Sequence, residues 1–467
     1  MAQRPSRGIG NVLQGIRSEK TGAHVFFLVA TVLLFLGFSG NTWQVANRDF
    51  FTNHQIVMES FIVGRILKTG LDGVFSAGGL PGLAGPDAVP PDIENANYRF
   101  QYQAYRETLP FKTYSVYKSQ NGGQGMLFGA LDTAMPFPNP EKLSLFHGLT
   151  SLLSAIFLAL ILLWFYREFG LVAGVTALLT AVFSQWLTVF GRNLWWSIWA
   201  FYLPMVMVLY FLKRFGDLTK LSPVKFGMVV FLAVLVKCFF NGFEYITTTL
   251  IMMTVPLVYY SVLGQIGWGK FLSGMLAAIT ASALAILASL TALCFQIAAV
   301  EGSFAKGVDH IVFSLLRRSY ADPQLFPPDY AASLNASPAD VVLLYLKGIF
   351  LDLNNYIPAA DPFIANYIFQ IRYLYLILLF AAMSAVLLVR LRASGAAGLR
   401  PRGRALVAAL WFSLLAPLSW LVIFKAHSYV HTFMNNIVWQ MPFTLFGFAV
   451  CGLALRALWK ALRGKTA

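Results

Sequence analysis

The stretch VFFLVATVLLFLGFSGNTWQVANRDFFTNHQIVMESFIVGRILKTG, Val25–Gly70, decides how the rest of the chain is read. Its opening part, Val25–Gly40, is uncharged and almost wholly apolar, which is the makeup of a helix that crosses a bilayer. No clean small-x-small cleavage site follows, and many more apolar runs come later, so this is an uncleaved first helix and not a signal peptide. Behind it lie Asn47-Arg48-Asp49 and then a run from His54 to Leu67. In that run Ile56, Ile62, Val63, Ile66 and Leu67 fall roughly on one helical face, with Glu59, Arg65 and Lys68 elsewhere. The pattern predicts a helix lying in the membrane interface. The alternative is a buried helix of an outer domain.

The rest of the 467-residue chain repeats the opening theme. Nine further apolar runs fall near Leu143–Phe165, Leu171–Phe190, Trp195–Leu212, Phe226–Phe240, Tyr245–Val262, Phe271–Val300, Ile371–Val389, Ala405–Phe424 and Phe443–Leu455. The expected fold is therefore an all-α integral membrane protein of about ten transmembrane helices, a single polytopic domain over residues 1–467. Phe271–Val300 is long for one span and is expected to tilt or to emerge into the loop after it. Composition agrees: hydrophobic residues make up 58% and charged residues only 12%, about half the usual charge of a soluble domain. Disorder is excluded by the same hydrophobicity.

The excess of 35 basic over 20 acidic residues raises nucleic acid as a partner, but its placement argues against that. Arg4, Arg7, Arg17 and Lys20, then Lys213 and Arg214, Arg390 through Arg404, and Arg456 through Lys465 sit in short segments beside apolar runs. That is the positive-inside pattern. With a cytoplasmic N-terminus and an even number of spans, every one of these segments lies inside and the C-terminus returns to the cytoplasm. The opposite face receives two long loops, Thr42–Lys142 and Glu301–Gln370, and three short ones, Gly191–Leu194, Asn241–Glu244 and Lys425–Met441. Cys238, Cys294 and Cys451 lie far apart in apolar runs and form neither a metal-ligand spacing nor a disulfide framework.

Absences narrow the chemistry. There is no GxxxxGK[ST] phosphate loop, no HExxH and no GxSxG elbow. Carboxylates within the apolar runs are nearly absent, leaving a proton-relay transporter little to work with. What remains gathers in the outer segments. Asp49, at the outer end of the first helix, is placed to take a proton from a hydroxyl acceptor in a low-dielectric setting; capping of the following helix is the plain alternative. Lys237 and Glu244 flank a turn between two apolar runs, and a lysine there wants either a partner or an anionic ligand. Arg192 is a cation opposite the basic clusters and a candidate for phosphate binding. The segment Lys425–Asn436 holds His427 and His431 four residues apart, with Tyr429 and Asn435 adding donors. Ser119, Gln120 and Gln124, set among glycines, form a candidate nest for an anion or a sugar; a plain turn is the alternative.

Taken together, these stretches resemble the GT-C glycosyltransferases, enzymes dependent on lipid phosphosugars that include protein O-mannosyltransferases, aminoarabinose transferases and bacterial arabinofuranosyltransferases. The resemblance covers the whole topology, and its sharp part is Asn47–Gly70. Ser119–Gly125, Arg192–Trp196, Gly242–Tyr245 and His427–Trp439 look like segments of bacterial polytopic proteins of this type found with polysaccharide genes. The resemblance implies inverting transfer of a sugar from a polyprenyl phosphate to a hydroxyl of a glycan, lipid or protein at the outer face of a bacterial inner membrane. By position Asp49 matches the catalytic acidic residue of the first loop. Lys237, Arg192, His427 and His431 would stabilise the leaving phosphate, and Glu244, Tyr245, Ser119, Gln120, Gln124, Tyr429 and Asn435 would line the substrate.

Two departures matter. Many members pair two acidic residues where this chain has Asn47-Arg48-Asp49, which weakens a metal-bridging role and leaves metal dependence open; no other cofactor is required. Trp195-Trp196 is followed by Ser197, so the Trp-Trp-Asp motif of oligosaccharyltransferases is missing. A polysaccharide polymerase or ligase is the nearest rival, with Arg317, Arg318 and His310 of the second long loop as its working residues. A flippase for lipid-linked saccharides would show repeated halves and discontinuous helices at mid-membrane, and the sequence shows neither. A structural membrane subunit is favoured if Asp49 faces solvent and is dispensable.

Overall fold

A computed structural model of the chain describes residues 9–85, 96–214, 222–393 and 399–463. Arg4, Arg7 and Lys465 of the basic segments lie outside them. The chain begins with α1 (Ile9–Gly40), α2 (Arg48–Asp72), α3 (Ala96–Glu107), α4 (Gly123–Ala134) and α5 (Asn139–Phe169). It continues through α6 (Leu171–Val182), α7 (Gln185–Gly191), α8 (Trp199–Arg214), α9 (Pro223–Asn241) and α10 (Ile246–Val262) to α11 (Trp268–Glu301) and α12 (Phe304–Arg318). Helices Tyr373–Ala393, Leu399–Ser413, Leu415–Ile423 and Phe443–Arg463 complete the bundle.

Among the described residues seven helices are long and apolar enough to cross a membrane: in α1, α5, α9 and α11, and at Tyr373–Arg392, Leu399–Ile423 and Phe443–Leu462. An eighth arises if α6 and α7, bent by 66°, are one broken span, a discontinuity that the continuous run Leu171–Phe190 does not show in the sequence. The break has a local cause: the Ser184 hydroxyl accepts from the Leu187 amide at 3.2 Å and starts a new helix. The other two runs expected to cross correspond to α8 and α10, which are shorter, at 16 and 17 residues. α11 is one continuous 34-residue helix. It turns small residues (Gly274, Ala278, Ala281, Ala285) inward towards α9 and leaves Leu276, Ile279, Leu284 and Leu287 outside, the division expected of a helix that packs closely on one side and meets lipid on the other.

The two ends of the bundle differ in chemistry. At one end Glu168 pairs with Lys213, the Arg402 guanidinium reaches the Glu168 carbonyl at 3.1 Å, and Arg456 reaches the Phe169 carbonyl at 3.1 Å. The long loops gather at the other end, each with a two-stranded antiparallel sheet: Gly82–Gly85 with Thr113–Val116, and Ile349–Asp352 with Gln370–Arg372.

α2 departs from the interfacial reading. Its polar residues are among its buried ones: Glu59 is 2% exposed and Arg65 0%. Arg65 donates to the carbonyls of Gly73, Val74 and Ser76 at 2.5–3.0 Å and so ties down the chain just past the helix. α2 packs on α3, α4, α7 and the Gly82–Gly85 strand. At Gly64 any Cβ would stand 2.1 Å from the Gly82 carbonyl oxygen, so only glycine lets the strand approach this closely. The same hydrophobic stripe serves protein burial as well as lipid burial, and here protein covers it.

Candidate functional site

Five segments far apart in sequence meet at the loop end of the bundle. The Leu194 amide donates to Glu59 at 2.9 Å, Gln124 donates to the Trp195 carbonyl at 3.1 Å, and Asn241 donates to the Trp196 carbonyl. The Arg318 guanidinium and the His427 ring both face Glu244. Asn355 donates to the Val45 carbonyl at 3.0 Å, joining the second long loop to the first. Within this meeting point lie two cavities, on opposite faces of α2. Phe51, Thr52, Ile56 and Glu59 border one; Val57, Met58 and Phe61 border the other. Helical spacing places those two sets about half a turn apart. α2 is a partition.

The first cavity, about 460 Å³, collects Glu244, Arg317, Arg318, His427 and His431 against walls that include Phe61, Tyr98, Phe433 and Met434. One carboxylate oxygen of Glu244 is 3.7 Å from Arg318 Nη2 and the other 3.9 Å from His427 Nε2, separations too long for hydrogen bonds. Arg318 also donates to the Tyr117 hydroxyl at 3.3 Å, and Arg317 to the Tyr330 hydroxyl at 3.0 Å. The Tyr330 ring lies under the Arg317 guanidinium, 5.2 Å from its centroid. The two imidazoles are 4.5 Å apart. Glu244 Oε2, His427 Nδ1 and His431 Nδ1 are buried without a hydrogen-bond partner among the described residues. Such atoms are costly unless a ligand or water meets them. Burial, with Arg318, His431 and Arg317 adding to it, holds His427 well below its ordinary pKa. Burial and the two arginines bring His431 down to about 4. Both rings are therefore neutral at neutral pH, and the two guanidiniums are the cationic pair.

Lys237 is not in this cavity. Its ammonium is fully buried and donates to the carbonyls of Gly242, at 2.9 Å, and Glu244, at 2.6 Å. It forms no ion pair with the Glu244 carboxylate, one of the partners expected of it; it staples the turn that carries Glu244. Gly242 has φ +58°, where a Cβ would press on Gln120 at 2.5 Å. Tyr245, also at positive φ, is packed among Trp196, Phe201 and Trp420 rather than open to a substrate.

Arg192 belongs to the second cavity, about 410 Å³, with Glu59, Tyr102, Arg106 and His147. α2 separates it from His427 and His431, its expected companions around one phosphate. Asp49 is exposed in the first turn of α2, where Asn47 caps the helix by accepting from the Asp49 amide at 2.8 Å; it lines neither cavity. Ser119 is 3.4 Å from His310 Nε2, outside both cavities. Gln120 and Gln124 are buried and join each other at 3.5 Å, behind Trp195. Asn435 is buried and Tyr429 exposed, and neither borders the first cavity.

Sequence reasoning passes over Glu59, Tyr102 and His147. The Glu59 carboxylate accepts from the Tyr102 hydroxyl and from His147 Nε2, both at 2.8 Å. Burial pushes its carboxyl up, but His147, Arg192 and the Leu194 amide more than offset this and hold it below the usual range. A lone glutamate midway along an amphipathic helix carries no sign of partners 88 and 135 residues away. Among the described residues no three His, Cys, Asp or Glu side chains converge to hold a metal ion. Compared with known proteins, the chain matches no family model, no curated protein and no solved structure.

Proposed function

We propose that the chain is an inverting glycosyltransferase that moves a sugar from a polyprenyl phosphate to an acceptor hydroxyl, with the Glu244 cavity as its donor site. The observation that carries this reading is the makeup of that cavity: two guanidiniums for a phosphate, an unpartnered carboxylate oxygen for a proton, and apolar walls for the start of a lipid tail. In the ten-span topology α8 and α10 also cross, both termini are cytoplasmic, and the cavity opens to the outer face of a bacterial inner membrane.

In the reaction the acceptor oxygen attacks the anomeric carbon opposite the C1–O bond to phosphate. That bond breaks with its electron pair going to the lipid phosphate, whose charge rises from one to two. Arg317 and Arg318 are positioned to stabilise that added charge. The hydroxyl proton passes to Glu244, the carboxylate that borders the cavity; exposed Asp49, the residue matched by position to the family's base, borders neither cavity. The neutral His427 and His431 supply hydrogen bonds to sugar or phosphate oxygens.

A polymerase or ligase is the second reading, favoured by one observation: both arginines come from the second long loop. Analysis of cell-surface glycans and lipid-linked sugars in a deletion strain separates the two. Loss of one defined sugar residue, with its lipid-linked donor accumulating, supports the transferase. Shortened chains of unchanged repeat composition support the polymerase, and an unchanged glycan profile rejects both.

A further inference from the structure

The cavity on the other face of α2 is assembled as carefully as the first, and the transfer chemistry above makes no use of it. Four elements build it: α2, α3, the outer end of α5 and the turn at Arg192. Glu59 is spent inside its wall, held by Tyr102, His147 and the Leu194 amide. The second carboxylate of the lining, Glu107, accepts from Gln103 at 3.1 Å. The cations are less fully engaged. The Arg192 guanidinium lies over the Phe51 ring, 5.3 Å from its centroid, and makes a single long contact, 3.4 Å, to His147 Nδ1. Its Nε is buried with no hydrogen-bond partner among the described residues. Arg106 projects from the neighbouring helix, in no hydrogen bond or ion pair with another described residue.

We propose that this cavity is a second ligand site, built to bind an oxyanion, either a sugar carboxylate or a phosphate group, between Arg192 and Arg106. A guanidinium with unused donors, stacked on an aromatic ring, is preorganised for bidentate capture of either group. Oxyanion binding at this site needs no reading of the transfer chemistry.

Calorimetric titration of the full-length chain in detergent tests the site directly, with sodium glucuronate, inorganic phosphate and glucose as probes. Wild type and R318Q, whose substitution lies in the donor cavity, are expected to bind glucuronate or phosphate and not glucose, more weakly as salt is raised. Stronger binding of glucuronate assigns the carboxylate, and stronger binding of phosphate the phosphate group. R192Q and R106Q, each made in the R318Q background, are expected to weaken that binding at least tenfold. R106Q replaces an exposed residue, so it keeps the test open if R192Q fails to fold. Equal binding of glucose, absence of any oxyanion binding to wild type and R318Q, or unchanged affinity in R106Q overturns the proposal. Loss of binding in R318Q alone assigns the anion to the donor cavity and also overturns it. Failure of the donor reading appears separately, as polyprenyl phosphate binding that R318Q leaves unaltered.

Discussion

Lys237 Nζ lies 2.6 Å from the main-chain carbonyl of Glu244, and through it α9 holds the turn that presents the Glu244 carboxylate to the cavity. The lysine satisfies main chain and leaves the Glu244 side chain to face Arg318 and His427. Lys237→Met should therefore strand two carbonyls in a buried place and lower stability by on the order of 3 kcal/mol. Replacing Glu244 as well should give no recovery, because the ion pair that a double substitution would relieve is not there. Thermal unfolding in detergent of the single and double variants measures this; recovery in the double variant would restore the ion-pair account.

Glu59→Gln should be damaging, although the amphipathic pattern of α2 marks Glu59 as a bystander. An amide in its place cannot accept from Tyr102, His147 and Leu194 together. A loss of about 1–3 kcal/mol is expected for leaving buried partners unmet. A melting temperature equal to that of wild type would show that the hub is not structural.

Gly64→Ala places a methyl against the Gly82 carbonyl. The neighbour is backbone and gives way poorly, so a destabilisation of about 1–3 kcal/mol is expected. Gly70→Ala on the same helix, where nothing lies within 4 Å of the new methyl, is expected to be neutral or slightly stabilising. The pair of melting curves checks the packing of α2 against the strand.

The histidines give a pH dependence of definite sign. Above about pH 6.5, His431 is neutral both folded and unfolded and contributes no pH dependence. Below that, the unfolded chain binds the proton first, because burial and the arginines bring the folded-state value down to about 4. Stability attributable to His431 therefore falls as pH drops from about 6.5 towards about 4. Wild type should lose more in melting temperature between pH 7.5 and pH 5 than His431→Gln does; an equal loss in both would contradict the placement of His431 beside Arg317 and Arg318.

Seven of the ten runs expected to cross, or eight if α6 and α7 are one span, are met by helices long and apolar enough to do so, because an uncharged apolar run of bilayer length is difficult to bury anywhere but in lipid. The assembly at the loop end is legible only in part. Residue type and position single out Glu244, His427 and His431, and these three do converge. Arg317 and Arg318 stand out in the sequence only as the mark of a rival function, since nothing in a linear chain says that one loop folds against another. Membrane depth alone groups Arg192 with His427, and α2 divides them; a partition is a property of packing. For Lys237 the sequence suggests a side chain or a ligand as partner, while the actual partners are main-chain carbonyls, which every residue has and no pattern reveals.

The central claim is that Glu244, and not Asp49, takes the acceptor proton. The most direct measurement is the initial rate of sugar transfer by membranes carrying Glu244→Gln or Asp49→Asn, in a strain lacking the wild-type chain, with polyprenyl phosphate binding measured alongside. Glu244→Gln should bind the lipid phosphate about as well as wild type yet transfer roughly 10²–10⁴-fold more slowly, the usual cost of a missing general base, and Asp49→Asn should remain close to wild type. Near-normal transfer by Glu244→Gln, or an inactive but folded Asp49→Asn, would contradict the account.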